Sequence, residues 1–171
     1  MARVFDLKLL AADPNVNAIE LHYLGARKVG LDALLREADL VAVCCLLDET
    51  TRHLIGAPQF ALMKPNAHFI NVARGPVVDE NALIAALRTG RIAGAALDVF
   101  EQEPVAADNP LLALDNVILS PHSLCWTDEC FHNMATTGLA SIVDLLQHRP
   151  PEFIVNRAVL DHPRVREWLT R

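Results

Sequence analysis

Five polar side chains stand just past apolar runs of this 171-residue chain. Asp13 follows "LKLLAA", Arg74 follows "HFINVA" and Asp98 closes "GAAL". Glu103 lies in the next loop, and His122 follows "VILSP". These residue types suit one chemistry. A guanidinium forks onto a carboxylate or onto keto-acid oxygens. A histidine exchanges a proton near neutral pH. A carboxylate bonded to that histidine favours the imidazolium. Gathered in one place, they could reduce a 2-oxo acid, given a hydride donor. Singly, each is ordinary: Arg74 a charge past a strand, His122 a loop histidine, Glu103 a solvated acid. Asp13 before Pro14 would then be a turn former, and Asp98 a cap on the following loop. Arginine is rarely buried without a partner. Arg74, delivered into Gly75-Pro76, is therefore a surface charge or a group awaiting an anion.

The elements decide whether these residues meet. Strands are expected at 7–12, 40–47 ("LVAVCCLL"), 68–72, 92–99 and 117–120. Helices are expected between them, over "LDALLREAD", over "QFALMK" after Pro58, and over "ENALIAALRT". Asp79 is placed to N-cap the last of these and Gly90 to end it. Residues 15–30 read as irregular, with a short strand near Arg27–Val29. A long helix runs from about Thr127 to Gln147, with Phe131, Ala135, Ile142 and Leu146 at helical spacing. Pro150-Pro151 ends it. Apolar strands alternating with helices imply a parallel sheet covered on both faces, an α/β fold. In such sheets ligands bind outside the carboxyl ends of the strands, where the five polar residues stand.

Composition narrows the function classes. Hydrophobic residues make up 52% of the chain, which suits a globular domain rather than a disordered one. The net charge is −6, without a block of Lys or Arg, so no nucleic-acid or anionic-membrane surface is expected. No apolar run approaches the ~20 residues of a membrane span. The N-terminus "MARVFDLKLL" lacks an apolar signal region. Four cysteines without zinc or disulfide spacing point to a cytoplasmic protein and to no metal site. Cys44 and Cys45 are expected as small buried hydrophobes. His53, His68 and His132 are expected to be structural or surface groups.

"LMKPNAHFINVARGPVVDENALIAALRTGRIAGAALDVFEQEP", followed by "NPLLALDNVILSPH", resembles the NAD-binding domain of the D-isomer-specific 2-hydroxyacid dehydrogenases. "INVARG", "GAALDVFEQEP" and "SPH" come in that family's order and spacing. The resemblance implies a Rossmann-like, doubly wound parallel sheet with NAD as cofactor and a small 2-oxo or 2-hydroxy acid as substrate. It implies Arg74 as substrate-orienting arginine, His122 as acid/base and Glu103 as its carboxylate partner. Asp98 resembles the residue that holds the nicotinamide amide. Asp13 resembles the acid that takes the adenosine ribose hydroxyls and so favours NAD over NADP. Pro14 and Ala73, with Arg74 and His122, complete the implied cofactor contacts. Apart from the resemblance, a homodimer or other self-association is expected.

The departures from that family are as informative. No G-x-G turn occurs anywhere in the chain. The family's first strand, its glycine-rich phosphate loop and its substrate domain are therefore expected to be missing from these residues. "MARVFD" looks like the tail of the helix that would follow the loop. The partial NAD-binding domain is expected over residues 1–149, and a tail returning toward the substrate domain over 150–171. Leu46 and Asp48 replace a usual Pro and Thr, and Leu124 and Trp126 replace small residues beyond His122. Trp126 either walls the substrate pocket or packs under the long helix. The Asp13 strand must pair with "LVAVCCLL", leave a gap, or recruit another chain. Two function classes follow: an NAD-dependent dehydrogenase of which this is an inactive part, or a non-enzymatic interaction module on the same fold.

Overall fold

The computed structural model describes residues 2–170. The chain forms two compact units, Met1–Ser123 and Leu124–Arg171. The expected division at 149 would keep the long helix with the first unit; the compact units divide ahead of it.

In the first unit the strands are β1 (Leu9–Ala11), β2 (Ala26–Lys28), β3 (Leu40–Val43), β4 (His68–Asn71), β5 (Gly94–Leu97) and β6 (Val117–Leu119). Helices α1 (Ala18–Tyr23), α2 (Leu31–Glu37), α3 (Ala57–Leu62) and α4 (Glu80–Arg88) alternate with them. All strand pairings are parallel. They make two sheets, β1-β2 and β3-β4-β5-β6. The architecture is thus α/β and Rossmann-like, as the alternation predicts. Met1 of "MARVFD" lies outside the described residues, and Ala2–Phe5 form a 3-10 turn.

The core lies around the four-stranded sheet. Phe69 of β4 is fully buried and meets Phe60 of α3 edge-on, with ring centroids 5.2 Å apart. Leu83, Ile84 and Leu87 of α4 join the same cluster. Asp79 caps α4 by accepting from Ala82 N–H at 3.1 Å, and Gly90 beyond it has φ +66°, the left-handed position that favours glycine.

Burial on both faces holds for β5, where Gly94, Ala95 and Leu97 are buried, and fails for β3. Val41 and Val43 face the core, but Leu40 is 54% exposed. Leu40, Ala42 and the half-buried Ile70 open onto a cavity of about 1280 Å3, lined on its far side by Leu9, Leu10 and Ala26. Of the three outcomes open to the first strand, the chain takes the gap.

Two expectations are corrected. Residues 15–30 are not irregular: α1 occupies 18–23, with Asn17 Oδ1 accepting from Glu20 N–H at 2.9 Å. Asn17 followed by Glu20 three residues later is an N-cap signature present in the sequence. Second, β3 ends at Val43, so Cys44 is exposed and Cys45 half-buried rather than both lying in the core. Burial pushes the Cys45 thiol up from its ordinary value, which keeps it protonated.

The second unit holds α5 (Asp128–Leu146) and α6 (Pro163–Leu169). Thr127 caps α5 through Cys130 N–H at 3.2 Å. Trp126 packs on Phe131 of that helix, ring centroids 6.2 Å apart. His148 donates to the Trp168 carbonyl at 2.8 Å. Among the described residues no helix is long and apolar enough to cross a membrane.

Candidate active site

Register puts the ends of three strands on one line, with Asn71 opposite Leu97 and Leu97 opposite Leu119. Asp98 is one residue past that line, and Arg74 and His122 are three past it. The sequence folds this way locally because each exit is tied by a polar group.

Asn71 is buried, and its side chain wraps the chain that follows it. Its Oδ1 accepts from Ala73 N–H and its Nδ2 donates to the Arg74 carbonyl, both at 3.1 Å. Arg74 is exposed, and its Nη1 donates to the Ala73 carbonyl at 2.6 Å. Gly75 then passes under the Phe100 backbone: a Cβ there would lie 1.7 Å from the Phe100 carbonyl oxygen. The Arg74 loop and the Glu103 loop are therefore in direct backbone contact.

Asp98 is 5% exposed, and its N–H donates to the Asn71 carbonyl at 3.1 Å. Its Oδ1 accepts from Ser120 Oγ at 2.6 Å and from Ser123 N–H at 3.0 Å. It thereby clasps the turn that carries His122. His122 has φ +52°, which only a well-held turn imposes on a residue with a side chain. Its Nδ1 lies 2.8 Å from Glu103 Oε2, while Glu103 Oε1 accepts from Phe100 N–H at 3.0 Å.

Partial burial pushes the Glu103 carboxyl up. The His122 hydrogen bond, the Phe100 N–H and the charges of His122 and Arg74 outweigh it and hold the group below its ordinary range. Glu103 is thus an anion near neutrality and accepts the Nδ1 proton, which leaves Nε2 as the ring nitrogen that can exchange one.

Asp13 and Pro14 stand past β1, on the other sheet. Asp13 is half-buried and its Oδ1 accepts from Asn15 N–H at 2.8 Å. Its charge acts on the Cys45 thiol, just beyond β3. Asp48 spends its carboxylate on its own turn, accepting from Thr50 N–H and Thr51 N–H. The hydrogen bond from the Thr50 hydroxyl is the main cause that lowers its carboxyl from the ordinary value.

The structure thus brings Ala73, Arg74, Asp98, Glu103 and His122 to one sheet edge, with Asp13 and Pro14 at the end of the neighbouring sheet. Asn71, Ser120 and Ser123 are site-building residues that sequence reasoning missed. The signal for Asn71 was present, as the lone polar residue inside "HFINV".

A parallel α/β domain with its polar residues at the carboxyl edge is of the dinucleotide-binding, Rossmann-like class. The chain belongs to the D-isomer specific 2-hydroxyacid dehydrogenases, matching their NAD binding domain over residues 1–123. Glyoxylate/hydroxypyruvate reductase B of Shigella boydii serotype 4 is 51% identical over 136 residues, 80% of this chain and 42% of that protein. The protein of the same description from Salmonella newport is 53% identical over 131 residues, 77% of this chain and 40% of its own length. Among solved structures, D-lactate dehydrogenase with NAD+ from Lactobacillus jensenii superposes with TM-score 0.82 at 34% identity. It shares 91% of this chain and 50% of that one. A glyoxylate reductase from Paecilomyes thermophila gives TM-score 0.78 at 34% identity, over 85% of this chain and 44% of that one. The chain therefore spans about two fifths of the curated relatives it matches.

The donor set fits NAD at its two ends. The Asp13 carboxylate is of a type that could accept from ribose hydroxyls, and Ala73, Asp98 and His122 carry polar groups that could meet a nicotinamide. The 171 residues contain no G-x-G-x-x-G turn for the pyrophosphate.

Proposed function

We propose that this chain is most of the NAD-binding domain of a cytoplasmic oxidoreductase that interconverts small 2-oxo and 2-hydroxy acids. Glyoxylate and hydroxypyruvate, which the names of the relatives carry, are the first substrates to test. The observation that carries this reading is the His122 Nδ1–Glu103 Oε2 pair at 2.8 Å, beside an arginine whose charge acts on the same carboxylate.

The residues divide the work as follows. Arg74 takes the substrate carboxylate in a fork and sets the carbonyl carbon in reach of a donor. Bound NADH supplies the hydride to that carbon. His122 gives the Nε2 proton to the carbonyl oxygen, so the product is the neutral-hydroxyl 2-hydroxy acid. Glu103 holds the ring by Nδ1 and stabilises its imidazolium before the transfer. Asp13 and Pro14 would hold the adenosine ribose, and Ala73 and Asp98 the nicotinamide. Pairing into a homodimer is part of the same proposal.

The test is NADH oxidation with glyoxylate and with hydroxypyruvate by this chain completed with the segments that the Shigella boydii relative has beyond the matched 42% of its length. His122→Ala should lower kcat about 10²–10⁴-fold, the usual share of a general acid. Arg74→Ala should mainly raise KM for the oxo acid. Wild-type kcat/KM in both variants would overturn the assignment. A second reading, an interaction module on the same fold, is favoured by the open cavity between β1 and β3. It is distinguished by such a completed form that folds yet neither binds NADH nor turns over either acid.

A further inference from the structure

Three segments meet at Glu101, a residue outside the set assigned above. Its Oε1 lies 2.6 Å from His53 Nε2. Its Oε2 accepts from Glu80 N–H at 3.0 Å, and its own N–H donates to Glu80 Oε2 at 3.0 Å. The second oxygen of Glu80 accepts from Asn109 Nδ2 at 2.8 Å. His53, with φ +51°, donates its N–H to the Pro76 carbonyl at 2.9 Å, and Ile55 N–H donates to Val77 O at 3.2 Å. The 53–55 segment is thus laid along the stretch that follows Arg74.

Glu101 closes this arrangement from the third side. It lies two residues before Glu103, and its carboxylate reaches both His53 and the first N–H of α4. The reciprocal Glu80–Glu101 clasp has the form of a capping box made between segments 21 residues apart in sequence. Cutting it would remove the two hydrogen bonds by which Glu101 ties the 100–103 loop to the start of α4.

We propose that Glu101, held by His53 and the Glu80 N–H, is a positioning residue that fixes the Glu103–His122 pair relative to Arg74. Its catalytic consequence rests on the reductase reading above; its structural consequence does not. Glu101 touches no reacting atom in this scheme. It acts through Glu103, whose carboxylate orients the His122 ring by accepting at Nδ1.

The experiment is 15N NMR of the histidine rings in the 171-residue chain at a pH where they are neutral, with NADH oxidation on glyoxylate alongside. In the wild type His122 should carry its proton on Nδ1. In Glu101→Ala the ring should revert to the Nε2–H form of free imidazole, with the circular dichroism of the fold retained. Glu101→Gln should keep the Nδ1–H form, because its amide oxygen still accepts from Glu80 N–H. Where turnover is present, Glu101→Ala should lower kcat/KM for glyoxylate about 10- to 100-fold, the scale of a misplaced group, with KM for NADH little changed. A folded Glu101→Ala chain that keeps the Nδ1–H form overturns the proposal. If that variant does not fold, His53→Ala decides: partial loss of the Nδ1–H form supports it, and an unchanged ring overturns it. Tautomer reversion in this chain, with no turnover by the completed form, would retain the positioning role and remove the reductase reading.

Discussion

Glu103 carries two partners on two oxygens, and that arrangement sets a pH dependence. Its folded-state carboxyl lies below the ordinary 4.5, so ionisation favours the folded chain. For a depressed carboxyl the gain is complete above the unfolded value and is lost as pH falls through the folded one. The stability difference between wild type and Glu103→Gln should therefore be largest above about pH 5 and shrink below about pH 4. Urea unfolding across that range checks this, and a pH-independent difference would contradict it. At this scale Arg74 and His122 drew notice because they stand just past apolar runs, whereas Glu103 lies in a loop and was singled out through the family resemblance. The hydrogen bonds that aim them were not legible in the sequence. Asn71, Ser120 and Ser123 do their work through short contacts to residues that only the folded chain brings near, and of the two readings open for His53, structural or surface, its contacts to Glu101 and Pro76 fit the structural one.

At the scale of elements, the loop from Arg74 to Val78 and the loop from Asp98 to Glu103 touch through backbone. Gly75 has no room for a side chain: the atoms a Cβ would meet are Phe100 O at 1.7 Å, Phe100 C at 1.9 Å and Glu101 N at 2.5 Å. All are main-chain atoms, so no rotamer change relieves them. Gly75→Ala should destabilise by at least the ~1–3 kcal/mol of an overpacked core site. It should also lower the thermal midpoint by about 2–4 °C per kcal/mol. A midpoint within a degree of wild type would show that the loops can separate without cost. Phe69→Ala, which removes a fully buried ring stacked edge-on against Phe60, should cost about 3–5 kcal/mol by urea unfolding. Sequence placed most of these elements because their periods and caps are local: Asp79 and Gly90 mark α4 by themselves. The helix Ala18–Tyr23 escaped because six residues give fewer than two turns of pattern, and only the Asn17–Glu20 pair announces it.

For the whole molecule the consequence lies in how the strands are shared out. β1 and β2 are three residues each and, among the described residues, pair only with one another. A lone two-stranded ribbon is marginal in water. Its outer neighbour, β3, turns Leu40 and Ala42 toward the same cavity, so neither side buries the apolar surface that would hold the other. β4 is the opposite case, flanked by β3 and β5 and centred on a fully buried Phe69. Local opening free energy follows buried contacts. The amides of residues 9–11 in the 171-residue chain should therefore exchange much faster than those of residues 69–71. The same gap bears on the cofactor. On the proposed reading, Asp13, on the loosely held sheet, and Asp98, on the firm one, hold opposite ends of one dinucleotide. With no G-x-G-x-x-G turn among these residues to take the pyrophosphate, the chain alone should bind NADH more weakly than micromolar by calorimetry. The two measurements belong together. If residues 9–11 were as protected as 69–71 in a sample shown to be monomeric, the two sheets would have closed on each other, and the expectation of weak binding would lose its structural basis. If protection rose only as the chain self-associated, a second copy would be supplying what the β1 and β3 edges lack.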